Sequence, residues 1–454
     1  MITSSRFSGQ RFAVLGLARS GLTSVASLVA GGADVIAWDA REDAREKVAR
    51  KASLNLASLN LANLTDPLTI DLTGFAGVVV SPGVPLNRHP IAAHAARFGV
   101  PVIGDIELMA QIRPDLPPHR VVGITGTNGK STTTALVHHL CQAAGLPTRM
   151  GGNIGLPVLG EDALAAGGVY VLELSSYQID LTRTLACDVA VLINLSPDHL
   201  DRYDGFDGYA ASKERLFGMQ TAGQHAIFGC GDPVTLAVAT RVAAGRGASD
   251  VCIPDPKALT GQADWPSLQG PHNLENAAIA VAVAQALGIG EAVWRPALAS
   301  FVGLPHRMER VAQADGVLFV NDSKATNPAS TAPALAAYPR IHWICGGLPK
   351  TDTLDECAPA FGHVIAAYTI GEAGPRFAEL LAPHMPVTRS EMLCEAVRQA
   401  MAAAHSGDVI MLSPACASFD QFRDFEARGD AFRQIVTTLI ADRDAACPDL
   451  KGNI

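Results

Sequence analysis

Short apolar runs recur along this chain, and each is followed by a longer alanine- and leucine-rich stretch with helical character. Phe12-Ala13-Val14-Leu15-Gly16 is the first run, Val35-Ile36-Ala37-Trp38 the second and Gly77-Val78-Val79-Val80 the third. Continuous apolar runs of this length predict strands buried on both faces, and their alternation with helices predicts parallel α/β sheets. A strand starting at Val121 follows, with others predicted at 169–174, 189–194, 317–321, 341–345, 364–370 and 409–412, and a long helix over 273–287. Residues 43–72 are polar and helix-prone without a landmark.

Breaks in this pattern suggest boundaries. Pro114, Pro117 and Pro118 predict a linker at about 110–119, and Gly303-Leu304-Pro305 predicts a second hinge. A chain of 454 residues exceeds what one core organises, and three domains are expected, over 1–112, 113–303 and 304–454. No internal repeat or low-complexity tract interrupts them.

With 48% hydrophobic and 17% charged residues, the composition is that of a globular protein. The net charge of −9 argues against a nucleic-acid-binding surface, though not against local basic pockets. Nine cysteines, odd in number and without a C-x-x-C pair, form neither a disulfide framework nor a zinc pattern, and a reducing, cytoplasmic compartment is expected. The longest weakly polar stretch, at 277–290, falls short of the ~20 residues a membrane span needs, so no membrane insertion is expected.

The strongest chemical signal is Thr125-Gly126-Thr127-Asn128-Gly129-Lys130-Ser131-Thr132, between a predicted strand and a predicted helix. Backbone N–H groups of such a turn, aided by the helix dipole, cradle phosphate oxygens. Lys130 is placed to meet the β/γ phosphates and Ser131 to offer its hydroxyl to Mg²⁺. The strict G-x-x-x-x-G-K-[ST] pattern fails, because Ile124 stands where the first glycine belongs.

Other candidates are weaker. Glu173 stands at the C-terminal end of a predicted strand, where open α/β sheets bind ligands, and reads as a metal contact or a solvated acid. His199, after the strand at 189–194, is a metal ligand, a base or a surface residue. Lys213 looks like any helix-face lysine. Gly16 to Gly21 followed by Asp39 resembles half of a dinucleotide fingerprint without its spacing, and is compatible with diphosphate binding. The polar segment 321–327 after a strand reads as a loop or a ligand site.

Taken together, T-G-T-N-G-K-S-T at 125–132, G-G-N-I-G at 151–155, E-L-S-S-Y-Q at 173–178, D-H-L-D-R-Y at 198–203, H-N-x-x-N at 272–276, P-H-R at 305–307 and N-D-S-K-A-T-N at 321–327 resemble the Mur ligases over essentially the whole chain. E-L-S-S-Y-Q and S-P-A-C-A-S-F-D-Q-F at 413–422 are similar to the member that adds glutamate as the second amino acid. The resemblance implies an α/β fold with a Rossmann-like N-terminal domain, a central P-loop ATPase-type parallel sheet and a Rossmann-like C-terminal domain. It implies a monomer whose substrates are ATP, UDP-N-acetylmuramoyl-L-alanine and D-glutamate.

By the same resemblance, Leu17, Ala18, Arg19, Asp39, Arg41, Ser81 and Asn153 bind the UDP precursor. The loop (Gly126, Thr127, Asn128, Gly129, Lys130, Ser131, Thr132), Asn273, Asn276, Arg307 and Asp322 bind ATP. One Mg²⁺ is expected at Ser131 and Glu173, and a second at His199 and a Lys213 that carries a CO₂-derived carbamate. Thr326, Lys350, Ser418, Phe419 and Phe425 are expected to receive glutamate, and Lys130, Glu173, His199 and Lys213 form the expected catalytic group. The implied chemistry is phosphoryl transfer to the alanyl carboxylate, then attack of the amine on the acyl phosphate. Two rivals stay open: an L-glutamate-adding or folylpolyglutamate-type relative, and a nucleotide-hydrolysing switch with no acceptor.

Overall fold

The computed structural model describes residues 1–50 and 64–446. Cys447 and residues 51–63 of the polar stretch expected over 43–72 lie outside the described residues. Three sheets carry the fold. The first has four parallel strands in the order β2-β1-β3-β4: β1 (Arg11–Leu15), β2 (Asp34–Trp38), β3 (Phe75–Val80) and β4 (Val102–Ile103). The second has six parallel strands, β10-β9-β8-β5-β7-β6: β5 (His119–Thr125), β6 (Thr148–Gly152), β7 (Gly168–Glu173), β8 (Val189–Leu192), β9 (His225–Phe228) and β10 (Val251–Cys252). The third is ordered β11-β12-β16-β13-β14-β15: β11 (Glu309–Ala314), β12 (Val317–Asn321), β13 (Ile341–Gly346), β14 (Val364–Ile370), β15 (Val387–Glu391) and β16 (Val409–Leu412). All its pairs are parallel except β11 with β12.

The central strands are the apolar runs of the sequence. Val121, Val122 and Ile124 of β5, and all four residues of β8, are buried, as expected of strands with helices on both faces. The strands that the apolar pattern did not predict, among them β4, β6, β10, β11 and β15, are short or lie towards sheet edges where one side faces solvent. Helix placement follows the same logic: Lys130–Ala143 turns its Leu136, Val137 and Leu140 into the core beside β5 and β7.

Two compact units are present, Met1–Asp255 with Ala278–Arg295, and Pro256–Ala277 with Pro296–Ile454. The first two sheets therefore share one unit, and a single apolar core runs from Ile2 through Val121 to Ala239. The region expected as a linker is the joint between them. Glu107, buried on the helix Asp105–Ile112, accepts hydrogen bonds from the backbone N–H groups of Arg183 (2.7 Å) and Thr184 (3.0 Å) and from the Thr184 hydroxyl (2.8 Å). Arg113 pairs with Asp188, and Asp115 receives Ser4 and Arg6. The prolines punctuate the chain there, but side-chain hydrogen bonds fasten it.

Candidate functional site

β5 ends on Thr125, and the backbone turns through Gly126 (φ 150°) and Gly129 (φ 80°) into the helix Lys130–Ala143. Gly129 is the helix N-cap in the left-handed region, which costs glycine little. Ile124 interrupts the longer glycine pattern for a physical reason: it is a buried strand residue, in register with Glu173 on one side and Val191 on the other, so the turn begins after it. The end of β8 holds the turn. Asn194 accepts the Thr127 N–H on its carbonyl (2.9 Å) and the Asn128 N–H on its side chain (2.8 Å), while Thr127 Oγ1 donates to Ser196 O (3.2 Å) and accepts the Ser196 N–H (3.0 Å). Lys130 Nζ bends back over the turn and donates to Gly126 O (3.0 Å) and Thr127 O (2.7 Å). Ser131 is buried in the first helical turn.

Beside this turn, at the end of β7, lies Glu173. Its Oε1 accepts from Asn153 Nδ2 (2.9 Å), whereas Oε2 is buried without a hydrogen-bond partner among the described residues. Asn153 reaches it because Gly152 (φ 89°) passes directly over Glu173, where a Cβ would lie 2.2 Å from the Glu173 carbonyl oxygen. On the helix Gly205–Gly218, Lys213 is buried and points at the root of the loop, donating to Thr125 Oγ1 (3.3 Å) and lying 4.7 Å from the Tyr209 ring centre. It makes no ion pair among the described residues, and burial, with the nearby Lys130 charge, pushes its amine well below the usual lysine range. Desolvation of a lone ammonium drives this.

His199 has a left-handed backbone (φ 53°), which costs a non-glycine residue of order 1–3 kcal/mol. Its exposed ring lies against Tyr177, with 5.2 Å between ring centres, and Tyr177 in turn carries the Arg202 guanidinium at 4.2 Å. Among the described residues no group of three or more His, Cys, Asp or Glu side chains is placed to hold a metal.

A cleft of about 460 Å³ opens at the C-terminal ends of β1, β2 and β3, lined by Ala18, Arg19, Asp39, Arg41, Ser81 and Asn153 among others. Six of the seven residues expected at the precursor line it. Leu17 is the exception: its side chain is buried and its N–H donates to Asp39 Oδ2 (2.7 Å). Asp39 also accepts the Arg41 N–H (2.9 Å), so this carboxylate braces the turn from inside.

In the second unit, Asn273 and Asn276 are buried on the helix Pro271–Ala286 and bond each other through Asn276 Nδ2 and Asn273 Oδ1 (3.2 Å). Asp322, at the end of β12, accepts the Met308 N–H (3.2 Å) and the Ser413 hydroxyl (2.8 Å). Burial pushes its carboxyl up to about 7, although both hydrogen bonds and the charge of half-buried Arg307 pull the other way. A carboxyl raised on folding favours the native state while it is protonated. The penalty for ionising it in the native state grows between its unfolded value, near 3.8, and about 7, and is constant above. Asp322→Asn is accordingly expected to gain thermal stability relative to the parent across that window, with a flat difference beyond it, in melts recorded at stepped pH.

The residues expected at glutamate gather around three loops. Lys350 Nζ donates to Thr326 Oγ1 (3.3 Å). Ser418 is buried, Phe419 is exposed, and the Phe425 ring carries Lys324 Nζ at 3.8 Å from its centre. Asn194 and Arg428 are among the residues at these sites that the sequence did not single out; the only signal for Asn194 was its place at the end of a predicted strand.

Known proteins resemble the chain over nearly its whole length. Residues 124–252 match the Mur ligase middle domain, and 306–416 the Mur ligase glutamate ligase domain. The chain is 75% identical over 449 residues, covering 99% of each chain, to the UDP-N-acetylmuramoylalanine--D-glutamate ligase of Novosphingobium aromaticivorans. It is 57% identical to the ligase of the same name from Sphingopyxis alaskensis, over 97% of this chain and all of that one. In fold it is similar to the MurF ligase of Thermotoga maritima in complex with ADP, with a TM-score of 0.59 at 14% identity over 97% of this chain and 98% of that one.

Proposed function

Because the chain belongs to the Mur ligase family, we propose a reaction path built on the residues that meet at its phosphate loop. Its activity is the ATP-dependent joining of D-glutamate to UDP-N-acetylmuramoylalanine in peptidoglycan synthesis. The observation that carries the site reading is Glu173 Oε2, a buried carboxylate oxygen beside a phosphate loop with no hydrogen-bond partner among the described residues. A bare carboxylate oxygen is costly to bury unless something cationic completes it.

The path has two steps. A carboxylate oxygen of the alanyl residue attacks the γ-phosphorus of ATP, forming an O–P bond as the bond to ADP breaks. The glutamate amine then attacks the acyl carbon, the amide forms, phosphate departs and the amine gives up a proton. No protein nucleophile is required, and the protein contributes chiefly position and charge. Lys130 leaves the carbonyls of Gly126 and Thr127 to meet the β/γ oxygens, and the N–H groups at the start of the helix Lys130–Ala143 cradle them.

Ser131 and Glu173 offer the hydroxyl and carboxylate oxygens that Mg²⁺ prefers, and the open Oε2 fits it. His199 and a carbamylated Lys213 would hold a second ion. A neutral amine is the form that reacts with CO₂, and the burial of Lys213 supports that state. When bound, these ions neutralise charge on the transferring phosphoryl group. Arg19, Arg41, Ser81 and Asn153 take the UDP precursor, with Asp39 bracing their turn. Asn273, Asn276, Arg307 and Asp322 serve ATP, and Thr326, Lys350, Ser418, Phe419 and Phe425 serve glutamate. Among the described residues no helix is long and apolar enough to cross a membrane. A cytoplasmic monomer completes the proposal.

The test is phosphate release with ATP and UDP-N-acetylmuramoyl-L-alanine, offering D- and L-glutamate in separate reactions. Release with D-glutamate alone is expected. Release without any amino acid would favour a hydrolytic switch.

A further inference from the structure

Arg428 lies in the helix Phe425–Ala446 and is buried, with 1% of its surface exposed. Its guanidinium makes four hydrogen bonds, all to two loops. Nε donates to Ser323 Oγ (3.0 Å) and Nη2 to Ser323 O (2.9 Å), while Nη1 donates to Ala417 O (3.1 Å) and Nη2 also to Cys416 O (3.0 Å). Ala417 O accepts the Leu348 N–H as well (2.9 Å), and Leu348 O accepts the Ala417 N–H (2.9 Å), which brings in a third loop. These three loops carry Thr326, Ser418 and Lys350. Ser323 Oγ donates onward to Phe425 O (2.9 Å). The fit leaves no slack: a Cβ on Gly347, whose φ is +129°, would lie 2.3 Å from Ala417 O and 3.0 Å from Arg428 Nη1.

Among the described residues no carboxylate forms an ion pair with this guanidinium; its partners are carbonyls and one hydroxyl. A buried cation without a paired anion is costly to fold, and a core that needed only packing would be served better by an apolar side chain. A planar fork of donors does what an apolar residue cannot: it fixes the spacing of carbonyls on two separate loops.

We propose that Arg428 is a positioning residue for the glutamate pocket, setting the mutual geometry of the loops that carry Thr326, Lys350 and Ser418. The proposal rests on the glutamate-site reading above. It deepens that reading by naming the group that builds the site without touching the substrate.

The test is steady-state kinetics of Arg428→Lys, varying each substrate in turn, alongside Lys350→Ala. Lysine keeps the charge but cannot span both loops. The KM for D-glutamate is expected to rise about tenfold or more, the size expected for losing charge-assisted bonds. The KM values for ATP and precursor should stay within about twofold. A merely structural role would lower the active fraction, and so kcat, with every KM unchanged; that result would overturn the proposal. If the lysine variant does not fold, Arg428→Gln takes its place, and loss of folding in both would also overturn it by assigning the guanidinium to the core. Lys350→Ala keeps the two ideas apart. An unchanged glutamate KM in that variant refutes the glutamate site itself, whereas a raised one beside an unchanged Arg428→Lys refutes only the role of Arg428.

Discussion

Lys130→Ala is expected to abolish turnover, with kcat falling by about 10³ or more, the scale seen when a preorganised charge is removed from a phosphoryl-transfer site. The expectation follows from where the side chain stands. Lys130 Nζ already sits over the loop, donating to Gly126 O and Thr127 O, where it can exchange those carbonyls for phosphate oxygens. Ammonium charge is worth more against phosphates than against neutral carbonyls, which makes the exchange favourable. The loop itself should survive, because Asn194 and Thr127 hold it independently of Lys130. Phosphate release and a thermal melt on the same sample check both halves. Turnover within about tenfold of the parent, in a folded variant, would remove Lys130 from the chemistry.

Lys213→Ala has the second largest expected effect, a loss of about 10²-fold or more, partly restored by millimolar short-chain carboxylates. Truncation leaves a space beside Thr125 where the end of the lysine had been, and a small carboxylate entering it would return the anionic oxygens that a carbamate supplies. An ordinary helix-face lysine would behave otherwise, since its loss from a solvated surface changes little. The distinction is sharp here because Lys213 is buried and burial pulls its amine well below the usual lysine range, which a solvated surface lysine does not show. The sign of its pH linkage is definite. A lysine whose native value is depressed costs stability as pH falls below its unfolded value near 10.5, until the native amine itself takes up a proton. Lys213→Ala should therefore be relieved of that cost at neutral pH while losing activity, so stability and turnover move in opposite directions. Absence of rescue, together with an unmodified lysine by intact-mass analysis, would sink the carbamate.

Much of the fold was legible in the sequence because buried parallel strands write a local signature. The runs at 317–321, 364–370 and 409–412 coincide with β12, β14 and β16 to the residue. Strands such as β6, Thr148-Arg149-Met150-Gly151-Gly152, carry no apolar run, since one side of an edge strand has no neighbour to bury it. The prolines at 114–118 suggested a linker, and nothing local reveals that Glu107 nearby reaches the backbone of residues 183 and 184.

What the sequence by itself determined is the loop at 125–132, the alternation that makes three α/β sheets and the order of the ligase motifs. Each is encoded in neighbours along the chain, through backbone freedom at glycine, strand burial and helix polarity. Only the tertiary structure decided which residues build the sites from behind. Asn194 became the clamp of the phosphate loop, Asp39 the brace of the precursor turn, and Lys213 a buried amine at the root of the loop after β5. Arg428 became the pin of two loops, 11 and 105 residues away at their bonded positions, and through Ala417 of a third. Such roles depend on contacts between residues far apart in the chain and on how much water those contacts exclude, and neither quantity exists until the sheets have packed.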